Sequence, residues 1–125
     1  MLRNLLAIAA GGALGAVLRY LVASGVQRAV GRPFPLGTLT VNVVGSLAMG
    51  LLFVLLVERA ALGPEWRAAL LVGLLGAFTT FSSFSIETLN LIGEGRPLAA
   101  GLNITLSVGV CIGATWLGVA LGRQL

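Results

Sequence analysis

Apolar residues fill four long stretches of this chain, at about residues 5–26, 36–57, 66–92 and 98–121. Each stretch reaches the roughly 20 residues that an α-helix needs to cross the hydrocarbon core of a bilayer. The apolar residues run continuously and do not alternate with polar ones, which is atypical of membrane-spanning strands. The pattern predicts an all-α membrane protein with four transmembrane helices per subunit, forming a single transmembrane domain over residues 1–125.

The composition supports this assignment and excludes several functions. The chain is 58% hydrophobic and 10% charged, whereas a soluble domain carries roughly 25% charged residues. It contains no histidine and a single cysteine, Cys111, so no Ser/His/Asp or Cys/His catalytic arrangement can be built. The net charge of +4 comes from separated arginines, without the basic run that is typical of nucleic-acid binding. We therefore predict a multi-pass protein of the lipid bilayer that is not an enzyme and has no nucleic-acid partner.

The arginines at the ends of the apolar stretches are divided almost evenly between the two sides of the membrane. One side would carry Arg3, Arg59, Arg67 and Arg123, and the other would carry Arg28, Arg32 and Arg96, joined by Arg19 if it reaches that interface. Orientation normally follows a clear excess of Lys and Arg on the cytoplasmic side. The near balance allows insertion either way up, and hence an antiparallel homodimer of two oppositely oriented copies. A fixed topology set by a weaker cue is the alternative.

The third apolar stretch contains an unusual polar segment, residues 73–87 (GLLGAFTTFSSFSIE). Gly, Ser, Thr and Phe are weaker helix formers than Leu or Ala, so this segment predicts a helix broken near its middle, from Gly76 to Thr80. Backbone carbonyls freed at such a break are tolerated in a membrane only where they are buried or line a cavity. Carbonyl oxygens of this kind are good ligands for a hard cation such as Na⁺.

Two other stretches carry polar residues spaced four apart, which places them on one helix face. These are Thr38, Asn42 and Ser46 in the second stretch, and Asn103, Ser107, Cys111 and Thr115 in the fourth. Such groups often only hold helices together, since an interhelical hydrogen bond is worth about 0.6 kcal/mol on average. That interpretation suits Thr38 and Thr115 taken singly. For Asn42 and Ser107, taken together with the polar segment of the third stretch, the pattern favours a conduction path.

The chemistry of these groups suits a small anion. Amide N–H and hydroxyl O–H groups replace the hydration of an anion without any basic side chain, and the rims of aromatic rings are positive. Phe81 and Phe84 are three residues apart and face the same way. The alternative for each ring is ordinary packing against lipid or the protein core.

Apart from Arg67 at the start of the third stretch, two charged residues lie within the apolar stretches, and their roles remain open at this point. Arg19 can draw anions to a vestibule, or it can simply extend to the interface. Glu87 follows the phenylalanines by one to two turns, and a carboxylate inside the membrane costs about 2.5–3.5 kcal/mol unless it is paired or wet. It can pair with Arg19, form a hydrogen bond within the bundle, or take part in transport.

Three segments in order resemble the signatures of the Fluc (CrcB-type) fluoride channel family. They are residues 11–20 (GGALGAVLRY), 37–46 (GTLTVNVVGS) and 76–85 (GAFTTFSSFS), of which the third is the most specific. The resemblance covers essentially the whole chain. One departure is Ser83, where relatives often have threonine. Because serine keeps the hydroxyl, this difference affects the fine tuning of the expected channel and not the class of protein.

The resemblance implies a passive, fluoride-selective channel built as a dual-topology antiparallel homodimer in the cell membrane (inner or plasma) of a bacterium. It implies a structural Na⁺ at the dimer centre, held by the backbone carbonyls of Gly76 and Thr79. The implied fluoride pathway consists of Asn42, Thr80, Phe81, Ser83, Phe84 and Ser107, with Arg19 as the vestibule arginine and Glu87 as the carboxylate of the third span. Its use would be to let fluoride leave the cell and so lower cytoplasmic fluoride.

Two other functions remain alternatives at this stage. A small four-span proton-coupled exporter needs a membrane carboxylate at its substrate site, and Glu87 is the only candidate in the sequence. A membrane scaffold or accessory subunit would transport nothing. Fluoride flux and its dependence on a pH gradient distinguish the three classes.

Overall fold

All regular structure in the computed structural model, which describes Met1–Leu125, is helical. The helices are α1 (Leu2–Val30), α2 (Leu36–Glu58), α3 (64–78), α4 (Phe81–Gly93) and α5 (Pro97–Gln124). Helices α3 and α4 together form one span, Pro64–Gly93, so four segments are long and apolar enough to cross a membrane. This confirms the prediction of an all-α chain with four membrane-spanning segments.

Helix α1 continues to Val30, past the predicted end at residue 26, and ends at Gly31, whose left-handed backbone (φ 64°) lets its N–H donate to the Gln27 carbonyl. The amide nitrogen Nε2 of Gln27 donates to the carbonyls of Arg32 at 2.6 Å and Phe34 at 3.0 Å. Its Oε1 accepts from the backbone N–H of Gly37 at 3.0 Å, which satisfies one of the free donors at the start of α2. This one polar side chain therefore links the end of α1 to the turn and to the start of α2.

Helix α2 lies at the centre of the bundle, with α1 on one side and α5 on the other. Helix α1 also packs along α3, and α4 rests mainly on α5. Glycines allow the close contacts: a side chain at Gly15 would collide with the backbone of Leu74, and one at Gly50 with the backbone of Thr115. Small residues at such crossings are typical of membrane helices, whose association relies on close packing.

The third span is interrupted at Thr79 and Thr80, which both have extended backbone angles (φ −87°, ψ 159° and φ −153°, ψ 113°). The interruption falls inside the predicted segment from Gly76 to Thr80, although Gly76–Phe78 remain helical. It is preceded by widened helical turns with i→i+5 hydrogen bonds at Ala68–Leu75. Helix α4 restarts at Phe81, with the side chain of Thr80 accepting from the N–H of Ser83 as an N-cap.

The interfacial arginines lie at opposite ends of the bundle, as the order of the helices requires. At one end Arg123 pairs with Glu58 at 2.7 Å and Arg3 with Glu65 at 3.8 Å. The opposite end holds the α1–α2 and α4–α5 turns, with their three arginines, Arg28, Arg32 and Arg96. Exposed pairs of this kind contribute little to stability, so they mark the interfaces more than they stabilise the fold.

Candidate functional site

A groove of about 400 Å³ runs between α2, the interruption and α5, near the middle of the bundle. No charged side chain lines it. Its walls are formed by Asn42, Gly45, Ser46, Met49, Thr79, Thr80, Phe81, Phe84, Ser107, Val108, Cys111, Ile112 and Thr115. The groove therefore brings together five of the residues that the sequence singled out for an anion path, namely Asn42, Thr80, Phe81, Phe84 and Ser107.

The side chain of Asn42 pairs with both backbone groups of Thr80. Its Oδ1 accepts from the Thr80 N–H at 2.7 Å, and its Nδ2 donates to the Thr80 carbonyl at 3.0 Å. The extended backbone of Thr80 has no helical partners of its own, so the amide of Asn42 replaces them. Since Nδ2 carries two hydrogens, one N–H of Asn42 remains for the groove.

A cluster of hydroxyls follows the interruption. The Thr80 hydroxyl accepts from the backbone N–H of Ser83 at 3.1 Å and donates to the Ser83 hydroxyl at 3.1 Å, and the Ser82 hydroxyl lies 3.2 Å from it. Ser83 does not line the groove itself but supports Thr80, which does. These contacts hold the first turn of α4 in place at the groove wall.

The two predicted phenylalanines form a tilted pair, with ring centroids 5.3 Å apart and planes inclined at 51°. Their surroundings differ sharply, because Phe84 is 9% exposed whereas Phe81 is 77% exposed. Phe84 is thus fixed by the bundle, and the Phe81 ring projects from the isolated chain.

Helix α5 contributes the opposite wall of the groove. The hydroxyl of Ser107 donates to Oδ1 of Asn103, one turn earlier on α5, at 3.4 Å. The hydroxyl of Thr115 reaches its own helix at the Cys111 carbonyl, 3.0 Å away, and α2 at the Ser46 carbonyl, 3.2 Å away. Thr115 therefore contacts a neighbouring helix as the sequence interpretation had it, although it also lines the groove.

Glu87 lies outside the groove, in a second cavity of about 360 Å³ at the α1–α2 turn. Its Oε1 accepts from the hydroxyl of Thr38 at 2.8 Å, while its Oε2 is buried without a hydrogen-bond partner. Of the alternatives that the sequence left open, the structure supports a hydrogen bond within the bundle. Arg19 forms no salt bridge with it and lines neither cavity.

The interruption frees the two carbonyls that were singled out for a cation. In a continuous helix Gly76 and Thr79 would accept from the N–H groups of Thr80 and Ser83. Here the Thr80 N–H donates to Asn42, and the Ser83 N–H donates to the Thr80 hydroxyl. Both oxygens have thus lost their usual helical donors, and carbonyl oxygens suit a hard cation. The residues present fit a sodium ion in this respect.

Sequence reasoning missed two contributors to this site. A side chain at Gly45 would collide with Cγ2 of Thr79, so this glycine lets α2 approach the interruption. Thr88 donates to the Phe84 carbonyl at 2.7 Å and accepts from Asn103 at 2.9 Å. The spacing of Phe84 and Thr88, and of Asn103 and Ser107, was readable from the sequence, but the contact between the two helices was not.

Residues 6–119 of the chain match the family described as "CrcB-like protein, Camphor Resistance (CrcB)". Over 122 residues the chain is 54% identical to the "Fluoride-specific ion channel FluC" of Methylococcus capsulatus, which covers 98% of this chain and 54% of that longer protein. It is 51% identical over 123 residues to the protein of the same name from Coxiella burnetii, covering 98% of this chain and 99% of the relative. The similarity therefore extends across all four spans and the groove.

Proposed function

This chain belongs to the CrcB-like protein family, and we propose that it forms a passive, fluoride-selective channel. The observation that carries the proposal is that relatives about half identical to it, from one end of the chain to the other, are named fluoride-specific ion channels. The fold supports it, because this is a multi-pass membrane protein whose polar groove lies among its spans.

The groove offers the chemistry that a small anion requires. Asn42 has an amide hydrogen left over, and the hydroxyl of Ser46 forms no hydrogen bond with the protein. The Phe81 and Phe84 rings can present their positive rims. In this proposal Thr80 and Ser83 keep the wall in shape, and Ser107 supplies a hydroxyl from the opposite side. A path with few, closely spaced donors favours the smaller halide, since larger anions do not fit the same spacing.

We further propose that two copies pair in antiparallel orientation. The groove is open in the isolated chain, and Phe81 is 77% exposed. Amide and hydroxyl groups at this depth are costly against hydrocarbon, so a second copy is needed to cover them. The near balance of arginines at the two ends supports insertion in both directions. In the dimer each groove would become an enclosed pathway.

The freed carbonyls of Gly76 and Thr79 would hold a structural Na⁺ at the centre of that dimer. When bound, the ion would supply positive charge that fixes the two interruptions against each other. Arg19 would attract anions to the entrance, and Glu87, held by Thr38, would lie on the path beyond the phenylalanines. In the inner or plasma membrane such a channel would release fluoride that has entered the cell as neutral HF.

Efflux from liposomes that contain only this protein tests the proposal. Vesicles loaded with potassium fluoride or potassium chloride are diluted into salt-free medium, and a potassium ionophore carries the counter-charge. We expect rapid release of fluoride and retention of chloride. Equal release of the two halides would contradict selectivity. Flux that requires a pH gradient would instead support a proton-coupled exporter, and no flux from folded protein would support a scaffold.

A further inference from the structure

A chain of buried hydrogen bonds connects the two walls of the groove from behind. The Thr88 hydroxyl donates to the Phe84 carbonyl at 2.7 Å, Nδ2 of Asn103 donates to the Thr88 hydroxyl at 2.9 Å, and the Ser107 hydroxyl donates to Oδ1 of Asn103 at 3.4 Å. Phe84 and Ser107 line the groove, whereas Thr88 and Asn103 do not. Asn103 is only 2% exposed even in the isolated chain, so it acts from within the α4–α5 contact.

The direction of every hydrogen bond in this series is determined by the first one, which Thr88 donates to the Phe84 carbonyl. The Phe84 carbonyl can only accept, so the single proton of Thr88 is committed to it. Thr88 must then accept from Asn103, which turns Nδ2 of the amide toward α4 and Oδ1 toward Ser107. Ser107 in turn must donate. Its proton therefore points at Asn103 and away from the groove, where an anion would need it.

The bond from Ser107 is also the weakest in the chain. Its length of 3.4 Å lies beyond the usual range for a hydroxyl donor, whereas the bonds at Thr88 are of normal length. A serine hydroxyl can rotate about its C–O bond. Rotation would move the Ser107 proton into the groove and leave the amide of Asn103 fixed by Thr88.

We propose that Asn103 is a positioning residue that holds the Ser107 proton while the groove is empty and yields it to an arriving anion. The inference rests on the proposed function, since the anion is taken to be fluoride. The Asn103 carbonyl and the anion compete for the same proton, so Asn103 sets how tightly the groove binds an ion. Removing this competitor should strengthen anion binding, which a purely structural role would not do.

The test compares Asn103→Leu, which is close in size and lacks the acceptor, with wild type and with Ser107→Ala in reconstituted channels. Because one hydrogen bond changes an equilibrium by about 0.5–1.5 kcal/mol, we expect the fluoride concentration for half-maximal flux to fall about two- to tenfold. In the Ser107→Ala background, Asn103→Leu should change this concentration by less than about twofold. If Asn103→Leu does not assemble, Asn103→Ala gives the same comparison, since it also lacks the acceptor and cannot overpack the site.

A second variant tests the orientation argument. Thr88→Val removes the acceptor that turns the Asn103 amide. Like Asn103→Leu, it should therefore lower the fluoride concentration for half-maximal flux. Thr105→Val is the matched control, because Thr105 is exposed on α5 and its hydroxyl donates only to the Gly101 carbonyl of its own helix. If Thr88→Val behaves like this control, the orientation argument is wrong.

The outcomes separate this inference from the proposed function. Wild-type protein that passes no fluoride overturns both. Selective wild-type flux with an unchanged half-maximal concentration in Asn103→Leu overturns the inference alone. A loss of maximal flux that is the same with and without Ser107 also overturns it, because that result reflects general damage to the α4–α5 contact.

Discussion

Replacing Asn42 with aspartate changes one atom of the amide and tests the groove most directly. One carboxylate oxygen can still accept from the Thr80 N–H, as Oδ1 does now at 2.7 Å. The other oxygen would face the Thr80 carbonyl, where Nδ2 now donates at 3.0 Å. One hydrogen bond is therefore kept, and the other becomes a contact between two acceptors.

This change carries a structural cost as well as a cost for an anion. Losing one buried hydrogen bond and leaving its acceptor unpaired costs about 1–3 kcal/mol, and a carboxylate inside the membrane costs about 2.5–3.5 kcal/mol unless it is paired or wet. A unit negative charge about 4 Å from an anion costs about 4 kcal/mol at an effective dielectric constant of about 20. At about 1.4 kcal/mol for each tenfold change, the repulsion alone lowers occupancy of the groove roughly a thousandfold. We expect fluoride flux through Asn42→Asp to fall to the background of protein-free vesicles.

The assay is fluoride efflux from liposomes, normalised to the amount of folded protein that elutes with wild type in size-exclusion chromatography. Asn4→Asp is the matched control, because it makes the same chemical change at the start of α1, outside the groove, and it should conduct within about twofold of wild type. Folded Asn42→Asp protein that conducts within a few-fold of wild type would refute the reasoning. The groove would then not be the anion path.

Three further variants test other parts of the site. Phe84→Ile keeps an apolar side chain at a position that is 9% exposed but removes the ring, so fluoride flux should drop at least tenfold while the protein elutes as wild type; unchanged flux would show that the ring rim contributes nothing. Glu87→Gln keeps an acceptor for Thr38, so fluoride efflux should persist and should not depend on an imposed pH gradient. If wild-type flux depends on the pH gradient and Glu87→Gln abolishes it, the exporter is favoured. Gly50→Val would press on the backbone of Thr115, and because overpacking typically costs about 1–3 kcal/mol, the thermal unfolding temperature in detergent should fall, whereas an unchanged temperature would show that α2 and α5 can separate freely.

The sequence was sufficient for the spans and for the interruption because both depend on local properties. Four apolar stretches of sufficient length predict four helices, and the density of Gly, Thr and Ser near Gly76 predicts where the third one fails. The extended residues are only Thr79 and Thr80, and Gly76–Phe78 remain helical. Propensity locates such a break to within a few residues, and tertiary contacts decide the rest.

The pairing of side chains across helices could not be predicted in the same way. The four-residue spacing of Asn103 and Ser107 was visible, but its connection to Thr88 depends on how α4 and α5 are rotated about their axes. The pattern of residues along each helix does not determine that rotation. Asn42 shows the same limit: its polarity indicated a role in the groove, yet its bonds to the Thr80 backbone became evident only from the fold.

The contact between Asn42 and Thr80 joins the two ion sites that we propose. Because the Thr80 N–H donates to Asn42, it is not available to the Gly76 carbonyl, which is left for a cation. The same contact leaves one amide hydrogen of Asn42, which lines the groove, without an acceptor in the protein. A continuous third helix would return the Thr80 N–H to Gly76 and release Asn42 from its partner. In the proposed channel, the cation site and the anion path would therefore both depend on this interruption of the third span.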